Sequence, residues 1–524
     1  MQVVSAREAV SHLADEASVV VSGNGSLLQP EALLTALEAR YRESGHPRGL
    51  TVIYPVVVGT GPGTGVDHLA DPGMVRRVFG SCFDIWHVSR LTDLIRAGAV
   101  EAHCIPMGVL FHLLRARAAD QPGILTSVGL DTFVDPTVKG TLYSGGDSGR
   151  YRPSWSQRLE LDGQPYLYFP TPPVTAALLV ASMADEAGNL SLWREPIRQA
   201  ALDMAMAAKA GGGTVIAQVR HLVRRGAIPA RMVDVPGFLV DWVVVEPEQK
   251  QSSLTDYDPS LSGEWPTPIA EPPLPLTIEK AMMRRVALFL EAGQVINLGF
   301  GVPALLPRIL AEEGVTDLIT ATVEHGPVGG MPLGVEAFGA ARNPTFLFTS
   351  PDIFALYHSH QLDVAVLSAA EVDASGSANV SRFGSQLPGP GGYIDISSPA
   401  RFLVLVGRLT TGGTRYHIEG GRLHIAAEGK IQKFVPTVEE RTFSGPAAAQ
   451  KGTRVVYVTD RATFELVDGQ VTLTELAPGI DLQRDVLNQM GFRPAIAPRL
   501  GSWPSEVLSP PLLNLRKRWM EGEG

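Results

Sequence analysis

The residue most suggestive of chemistry is Glu324, which ends an apolar, β-branched run directly before a string of glycines in ITATVEHGPVGGMPLGVEAFG, 319–339. Glycine lets a ligand approach the backbone and leaves amide N–H groups free to face developing negative charge. A carboxylate in that setting can act on a carbonyl; it can equally cap a loop or pair with an arginine. Two more glycine loops lie in the same half of the chain: NLGFGVP, 297–303, at the expected end of a strand with a helix to follow, and LPGPGGYID, 387–395. Amides at a helix start favour phosphate or oxyanion groups. Three such loops, one carrying a carboxylate, point to a carboxylate-assisted acyl site.

Other constellations carry less. The string Gly59-Thr60-Gly61-Pro62-Gly63-Thr64-Gly65 follows an expected strand but lacks the G-x-G-x-x-G register. Pro62 removes an amide donor, and no Lys-Ser/Thr pair completes a phosphate loop, so NAD and ATP are rejected. The segment reads as a flexible loop over a site or interface. His358 and His360, in YHSH, have no acid or cysteine placed to complete a metal shell. Their alternation puts both on one face of a strand, as an exposed or hydrogen-bonded pair. His221, Cys82 and Cys104 carry no pattern, and two cysteines build neither a disulfide framework nor a cysteine-rich zinc site. No metal is expected.

The elements that must position these loops alternate in type. Strand-like runs cover 50–58, 214–219, 365–367, 402–406 and 455–459; helix-like runs cover 109–119, 197–210 and 277–291. Strands alternating with helices favour parallel sheets covered on both faces. A chain of 524 residues exceeds one ordinary core. The polar and then Pro-rich stretch EPEQKQSSLTDYDPSLSGEWPTPIAEPPLP breaks it. The expectation is two tandem, related α/β domains with largely parallel sheets, at 1–245 and 277–524, joined by a linker at 246–276. A faint likeness between SVVVSGNGSLLQPEALL, 18–34, and QVINLGFGVPALL, 294–306, supports related halves. A formal charge of -10 disfavours nucleic acid and anionic membrane as partners. Apolar runs such as 238–245 are far shorter than the ~20 residues of a membrane span, and the first residues lack the positive start of a signal peptide. A soluble, cytoplasmic protein is expected, and there the Asn189 and Asn379 glycosylation patterns have no bearing.

The sequence closely resembles family I CoA transferases of the single-chain acetate/propionate type, related to succinyl-CoA:3-oxoacid transferases. The likeness rests on NLGFGVP, VEHGPVGGMPLG, FGAARNP, ANVSRFG, PGPGGYID, YVTDRATF and LAPGID in the second half. In the first half it rests on IPMGVLFHLLRARA, PGILTSVGLDTFVDP, ADEAGNL, GGGTVIAQV and VPGFLVDWVVV, so nearly the whole chain is covered in matching order. Departures are His325 after the glutamate, where the family usually has Ser or Asn, and Met107 where Gln is usual near the substrate end. Ser377-Ala378-Asn379 and LWREP, 192–196, differ too. These leave the glutamate intact and put the acyl preference in doubt, with a larger or more apolar acid than acetate in view.

The resemblance implies a CoA-transferase in which Glu324 attacks a thioester carbonyl, passing through glutamyl anhydride and glutamyl-CoA intermediates in ping-pong order. It assigns Gly391 and Gly392, with Gly389 and Met107 beside them, to the oxyanion and acyl site. It assigns Gly299, Phe300, Gly301, Val302 and Pro303 to CoA. Coenzyme A enters as substrate, with no bound cofactor; the partners implied are acyl-CoA, a carboxylic acid and further copies of the chain in a dimer or tetramer. The competing readings are an acyl-CoA or β-keto acyl-CoA hydrolase on the same scaffold, with Glu324 as base, and a non-catalytic CoA-binding or assembly protein.

Overall fold

The computed structural model describes residues 1–85, 89–145, 149–269 and 271–521. In the first half, strands β1 (Gln2–Val3), β2 (Ser18–Val21), β3 (Leu50–Tyr54), β4 (Val75–Gly80), β5 (Glu101–Cys104), β6 (Ala176–Asp185), β7 (Thr214–Val223) and β8 (Trp242–Val245) form one sheet. Its order is β1-β8-β7-β6-β2-β3-β4-β5, and every pairing along it is parallel. Val19–Val21 and Leu50–Tyr54 are buried on both faces, which is why these strands read as continuous apolar runs rather than as alternation. Helices α1 (Glu31–Ser44), α2 (Met107–Ala118) and α3 (Ala201–Ala210) belong to this half.

The second half has helices α4 (Ile278–Ala287), α5 (Leu306–Glu312), α6 (Ser350–His358) and α7 (Tyr393–Ser397). Its strands are β9 (Val295–Leu298), β10 (Thr320–Thr322), β11 (Pro327–Val328), β12 (Phe346–Leu347), β13 (Val364–Ser368), β14 (Phe402–Val406), β15 (Arg454–Val458), β16 (Ala462–Val467), β17 (Gln470–Leu476) and β18 (Ala495–Ser502). They run β12-β11-β10-β9-β13-β14-β15-β16-β17-β18, parallel from β10 to β15 and antiparallel at β11, β12, β16 and β17. The fold is thus the expected mixed α/β pair with mostly parallel sheets.

Alternation along the second sheet sorts its side chains into two cores. Ala365, Leu367, Leu403, Leu405, Val455 and Tyr457 join a core that runs on into the first half. Val364, Val366, Val404, Val406, Val456 and Val458 join another, with Ala281, Val286 and Ile309 of the covering helices. One face of the second sheet therefore helps to bind the halves together, and that places the β10 hairpin against the first half.

Two expectations are corrected here. His358 closes α6 rather than lying on a strand, and His360 follows in a turn at φ 60°. The missed signal was Thr349-Ser350-Pro351-Asp352, with proline at the helix start and an acid in the first turn. The histidines do hydrogen-bond, His358 Nε2 to Asp395 Oδ1 at 3.1 Å and His360 Nδ1 to the Pro399 carbonyl at 2.8 Å. The 59–65 loop is tied down: Gly65 N donates to Glu31 Oε2 at 2.9 Å and Gly63 N to Asp67 Oδ2 at 3.1 Å. The first part of the 246–276 segment packs on the first half, with Gln249, Gln251 and Ser252 buried. Among the described residues no helix is long and apolar enough to cross a membrane.

Candidate active site

Glu324 and His325 sit at the tip of the β10–β11 hairpin. Val323 N donates to the Pro327 carbonyl at 3.0 Å and Gly326 N to the Val323 carbonyl at 2.9 Å. Gly326 is at φ 124°, and a Cβ there would stand 2.3 Å from the Phe348 carbonyl oxygen, so only glycine closes this turn. The Glu-x-Gly-Pro spacing is thus a device for holding a side chain at a hairpin tip.

The Glu324 side chain is buried, and its Oε2 has no hydrogen-bond partner. Burial pushes its carboxyl up to about 7; its own backbone and the Asn297 amide pull the other way, while the Asp395 carboxylate adds to the rise. Asn297, on β9, is held by a relay: its Nδ2 donates to Tyr357 Oη at 3.1 Å, Tyr357 to Thr322 Oγ1 at 3.0 Å, and Thr322 to the Ile296 carbonyl at 2.8 Å. Cys82, from the first half, also feels the Glu324 charge; burial foremost pushes its thiol up to about 11. That makes it an inert core thiol, not a nucleophile.

His325 is 2% exposed, and neither ring nitrogen has a partner. Burial pushes its pKa down to about 3, so the ring is a neutral imidazole. It meets Phe338 edge-on at 5.7 Å, and Phe338 meets Phe300 of the 297–303 loop at 5.4 Å. The backbone of Phe338 in turn accepts Asn24 Nδ2 from the first half at 2.9 Å. Asn24 sits in a turn whose Gly23 is clasped by Gln199, which accepts from Gly23 N at 2.8 Å and donates to its carbonyl at 2.5 Å. Gln199 also receives Ser350 N at 2.8 Å, fixing this turn to the start of α6.

The CoA-loop candidates lie at the carboxyl end of β9, the edge at which open α/β sheets bind ligands. Gly299 N donates to the Val366 carbonyl at 2.9 Å, and a Cβ on Gly299 would come within 2.9 Å of Leu367 Cδ2. Gly301 turns at φ 88° into a 3-10 turn, Val302–Leu305, that leads to α5. Ser368 Oγ donates to the Phe300 carbonyl at 2.6 Å.

The 387–392 loop forms a backbone seam between the halves. Asp84 N donates to the Leu387 carbonyl at 3.1 Å, Phe83 N to Pro388 at 3.2 Å, Gly391 N to Ser81 at 3.0 Å and Met107 N to Gly391 at 3.1 Å. Gly389 N donates to the Ser381 carbonyl at 3.0 Å. Of the two glycines expected to offer amides to an oxyanion, Gly391 therefore has its amide engaged, as does Gly389 beside them; the Gly392 amide takes no partner among the described residues. Met107 opens α2 and is buried beside Gly391, its Cε 3.5 Å from where a Gly391 Cβ would be. The first amides of α2 are capped from the other half: Asp395 accepts Gly108 N at 2.9 Å and Val109 N at 3.1 Å.

Asn24, Gln199, Asn297, Tyr357 and Asp395 were not singled out as site residues by sequence. A single amide in a loop has no pattern, and its partners come from distant segments. What the structure adds is a cluster of buried polar atoms without partners: Asn24 Oδ1, Asn297 Oδ1, Glu324 Oε2 and both His325 nitrogens. Buried polar groups are normally paired, so such a cluster is a candidate binding site. Among the described residues no group of three His, Cys, Asp or Glu could hold a metal. A cavity of about 740 Å³, lined by Ser26, Gln29, Thr60 and Ser253 among others, opens beside the Asn24 turn.

Comparison with known proteins shows the family. A family model described as coenzyme A transferase matches residues 3–246. Caffeate CoA-transferase of Acetobacterium woodii is 36% identical over 97% of this chain and 97% of its own. The chain belongs to the coenzyme A transferase family. The crystal structure of the acyl-CoA transferase YdiF apoenzyme from Escherichia coli O157:H7 matches with a TM-score of 0.92 and 34% identity over 98% of this chain and 97% of that one. A second YdiF structure, a thioester complex with CoA, matches with a TM-score of 0.91 and 33% identity over 98% and 97%. This CoA-transferase is thus an enzyme of a family in which coenzyme A is a substrate.

Proposed function

We propose that the enzyme moves CoA from an acyl-CoA to a short-chain carboxylic acid in ping-pong order, with Glu324 as nucleophile. The observation that carries this reading is the Glu324 carboxylate itself, buried at a hairpin tip with one oxygen unpartnered among unpartnered groups from both halves. A Glu324 oxygen attacks the thioester carbonyl, the C–S bond breaks, and CoA leaves as thiolate from an acyl–glutamyl anhydride. The thiolate adds to the glutamyl carbonyl, the acid departs as carboxylate, and CoA remains as a glutamyl thioester. A second acid runs both steps backwards. Splitting the exchange this way replaces one hard step by easier ones, and burial keeps water from both activated intermediates.

Gly392 is the backbone donor proposed for the tetrahedral oxyanion, since Gly389 and Gly391 are engaged; one such donor is worth ~3 kcal/mol. Residues 299–303 are proposed to contact CoA and Met107 to border the acyl group. The glutamyl–CoA step is supported by YdiF having a thioester complex with CoA. The same reading carries domains at 1–245 and 277–524 with the linker at 246–276, a cytoplasmic location and a homo-oligomer.

Intact-mass measurement after incubation with an acyl-CoA tests the proposal. The expected result is a hydroxylamine-labile adduct equal to CoA less water on Glu324, absent in Glu324→Gln together with transfer activity. Turnover of acyl-CoA without any adduct and without an acceptor acid would overturn it.

A further inference from the structure

Three of the unpartnered buried atoms form a subgroup apart from the reacting carboxylate. Asn24 and His325 meet at Gly339: a Cβ there would lie 2.4 Å from Asn24 Nδ2 and 3.1 Å from His325 Nδ1, and Gly339 is held at φ 110°. The Phe338 carbonyl takes the Asn24 Nδ2 hydrogen, which fixes the amide and leaves Oδ1 as an acceptor without a partner. The neutral imidazole offers one N–H donor and one acceptor nitrogen. Both side chains are at least 98% buried. The pair is joined to the approach to the site by Phe338 and the partly exposed Phe300.

The complement of an N–H donor beside an amide oxygen is a group that accepts and donates through one atom. A plain alkyl chain satisfies neither side. A ketone oxygen accepts from the imidazole N–H and leaves Asn24 Oδ1 unpaired; an ammonium group can donate to Asn24 Oδ1 and to the ring's acceptor nitrogen, but it brings a positive charge to a place whose burial already keeps the imidazole neutral. A hydroxyl both accepts and donates, and leaving buried partners unpaired is the strongest means an enzyme has of rejecting an analogue.

We propose that His325 and Asn24 form a subsite for a hydroxyl on the acyl group, so that the enzyme prefers hydroxy acids to the matching unsubstituted acids. The imidazole N–H donates to the hydroxyl oxygen and the hydroxyl proton goes to Asn24 Oδ1. This rests on Glu324 being the site of CoA transfer.

The test is a set of matched acceptor pairs: 2-hydroxypropanoate against propanoate, and 3- and 4-hydroxybutanoate against butanoate, with kcat/KM measured for each. The wild type is expected to favour one hydroxy acid by about tenfold or more. In His325→Leu that ratio falls to within about twofold of unity, and His325→Gln, which keeps a donor and an acceptor, retains most of it. A wild-type ratio near one for every pair overturns the subsite, and that result needs no variant. So does an equal loss for both members of a pair in His325→Leu, the mark of contact with the pantetheine arm they share. A glutamyl–CoA adduct formed in the wild type alongside such results leaves Glu324 in its role; no transfer to any acid removes the transfer reading and the subsite together.

Discussion

Glu324 is held at a cost to the fold, and the cost has a defined pH dependence. An acid whose pKa is raised from 4.5 to about 7 binds more protons folded than unfolded between those values. Stability therefore falls as pH rises through that window and stays low above it. The shift corresponds to roughly 3 kcal/mol at full effect. Glu324→Gln removes the ionisation, so the variant is expected to be more stable than the wild type at pH 8 and to lose that advantage by about pH 4. Glu195 is also pushed up to about 7 by burial, so the two proteins must be compared at each pH, where the Glu195 contribution cancels. Denaturant midpoints measured at pH 5 and pH 8 decide it; an advantage that does not change with pH would mean the carboxylate is not desolvated as the geometry implies. On the proposed mechanism the attacking form is the Glu324 carboxylate, so adduct formation is expected to rise with pH through about 7 and to level off above it. The placement of Glu324 at the end of a strand before a glycine turn was legible in the sequence, because an acid ending a β-branched run before glycines is a local pattern. Asn24 and His325 were not legible as a pair, because nothing local joins positions that far apart.

At the scale of elements, the glycine loops were visible but their tasks were only half readable. The spacing in NLGFGVP correctly announced a strand end followed by a helical turn. In LPGPGGYID the glycines suggested free amides, whereas the structure uses Gly389 to let two backbones touch and engages the amides of both Gly389 and Gly391. A glycine in sequence declares that something comes close and does not say what. Gly389 is at φ 78°, and a Cβ there would stand 2.4 Å from the Ser81 carbonyl oxygen and 2.7 Å from Cys82 Cα. Gly389→Ala is therefore expected to cost at least about 1–3 kcal/mol and to spread the seam that positions Gly392. Thermal unfolding and single-turnover adduct formation should both suffer. If the variant kept wild-type stability, the close contact between the two loops would be wrong. YHSH shows the opposite limit, since two alternating histidines outweighed the Thr-Ser-Pro-Asp helix start eight residues earlier.

Across the whole molecule, the two α/β halves could be read from the alternation of strands and helices, but the closure of one half on the other could not. Asp395 shows why. It lies on α7 of the second half, caps the first amides of α2 in the first half through Gly108 and Val109, and accepts from His358. Its charge also raises the Glu324 pKa. One carboxylate thus fastens the halves and raises the pKa of the proposed nucleophile, a coupling that exists only once both sheets are in place. Asp395→Asn separates the two effects. An amide offers one acceptor oxygen where two helix N–H groups need partners, and it turns an NH₂ towards one of them. The loss is about 1.5–3 kcal/mol, the value of hydrogen bonds to a charged group. Removing the negative charge should at the same time lower the Glu324 pKa, so the pH midpoint of adduct formation moves to lower pH while the plateau rate falls. A merely structural Asp395 would lower stability and leave the midpoint where it is. A pH series of single-turnover rates on the variant, run well below its unfolding temperature, therefore distinguishes a clamp from a clamp that also sets the charge of the reacting glutamate.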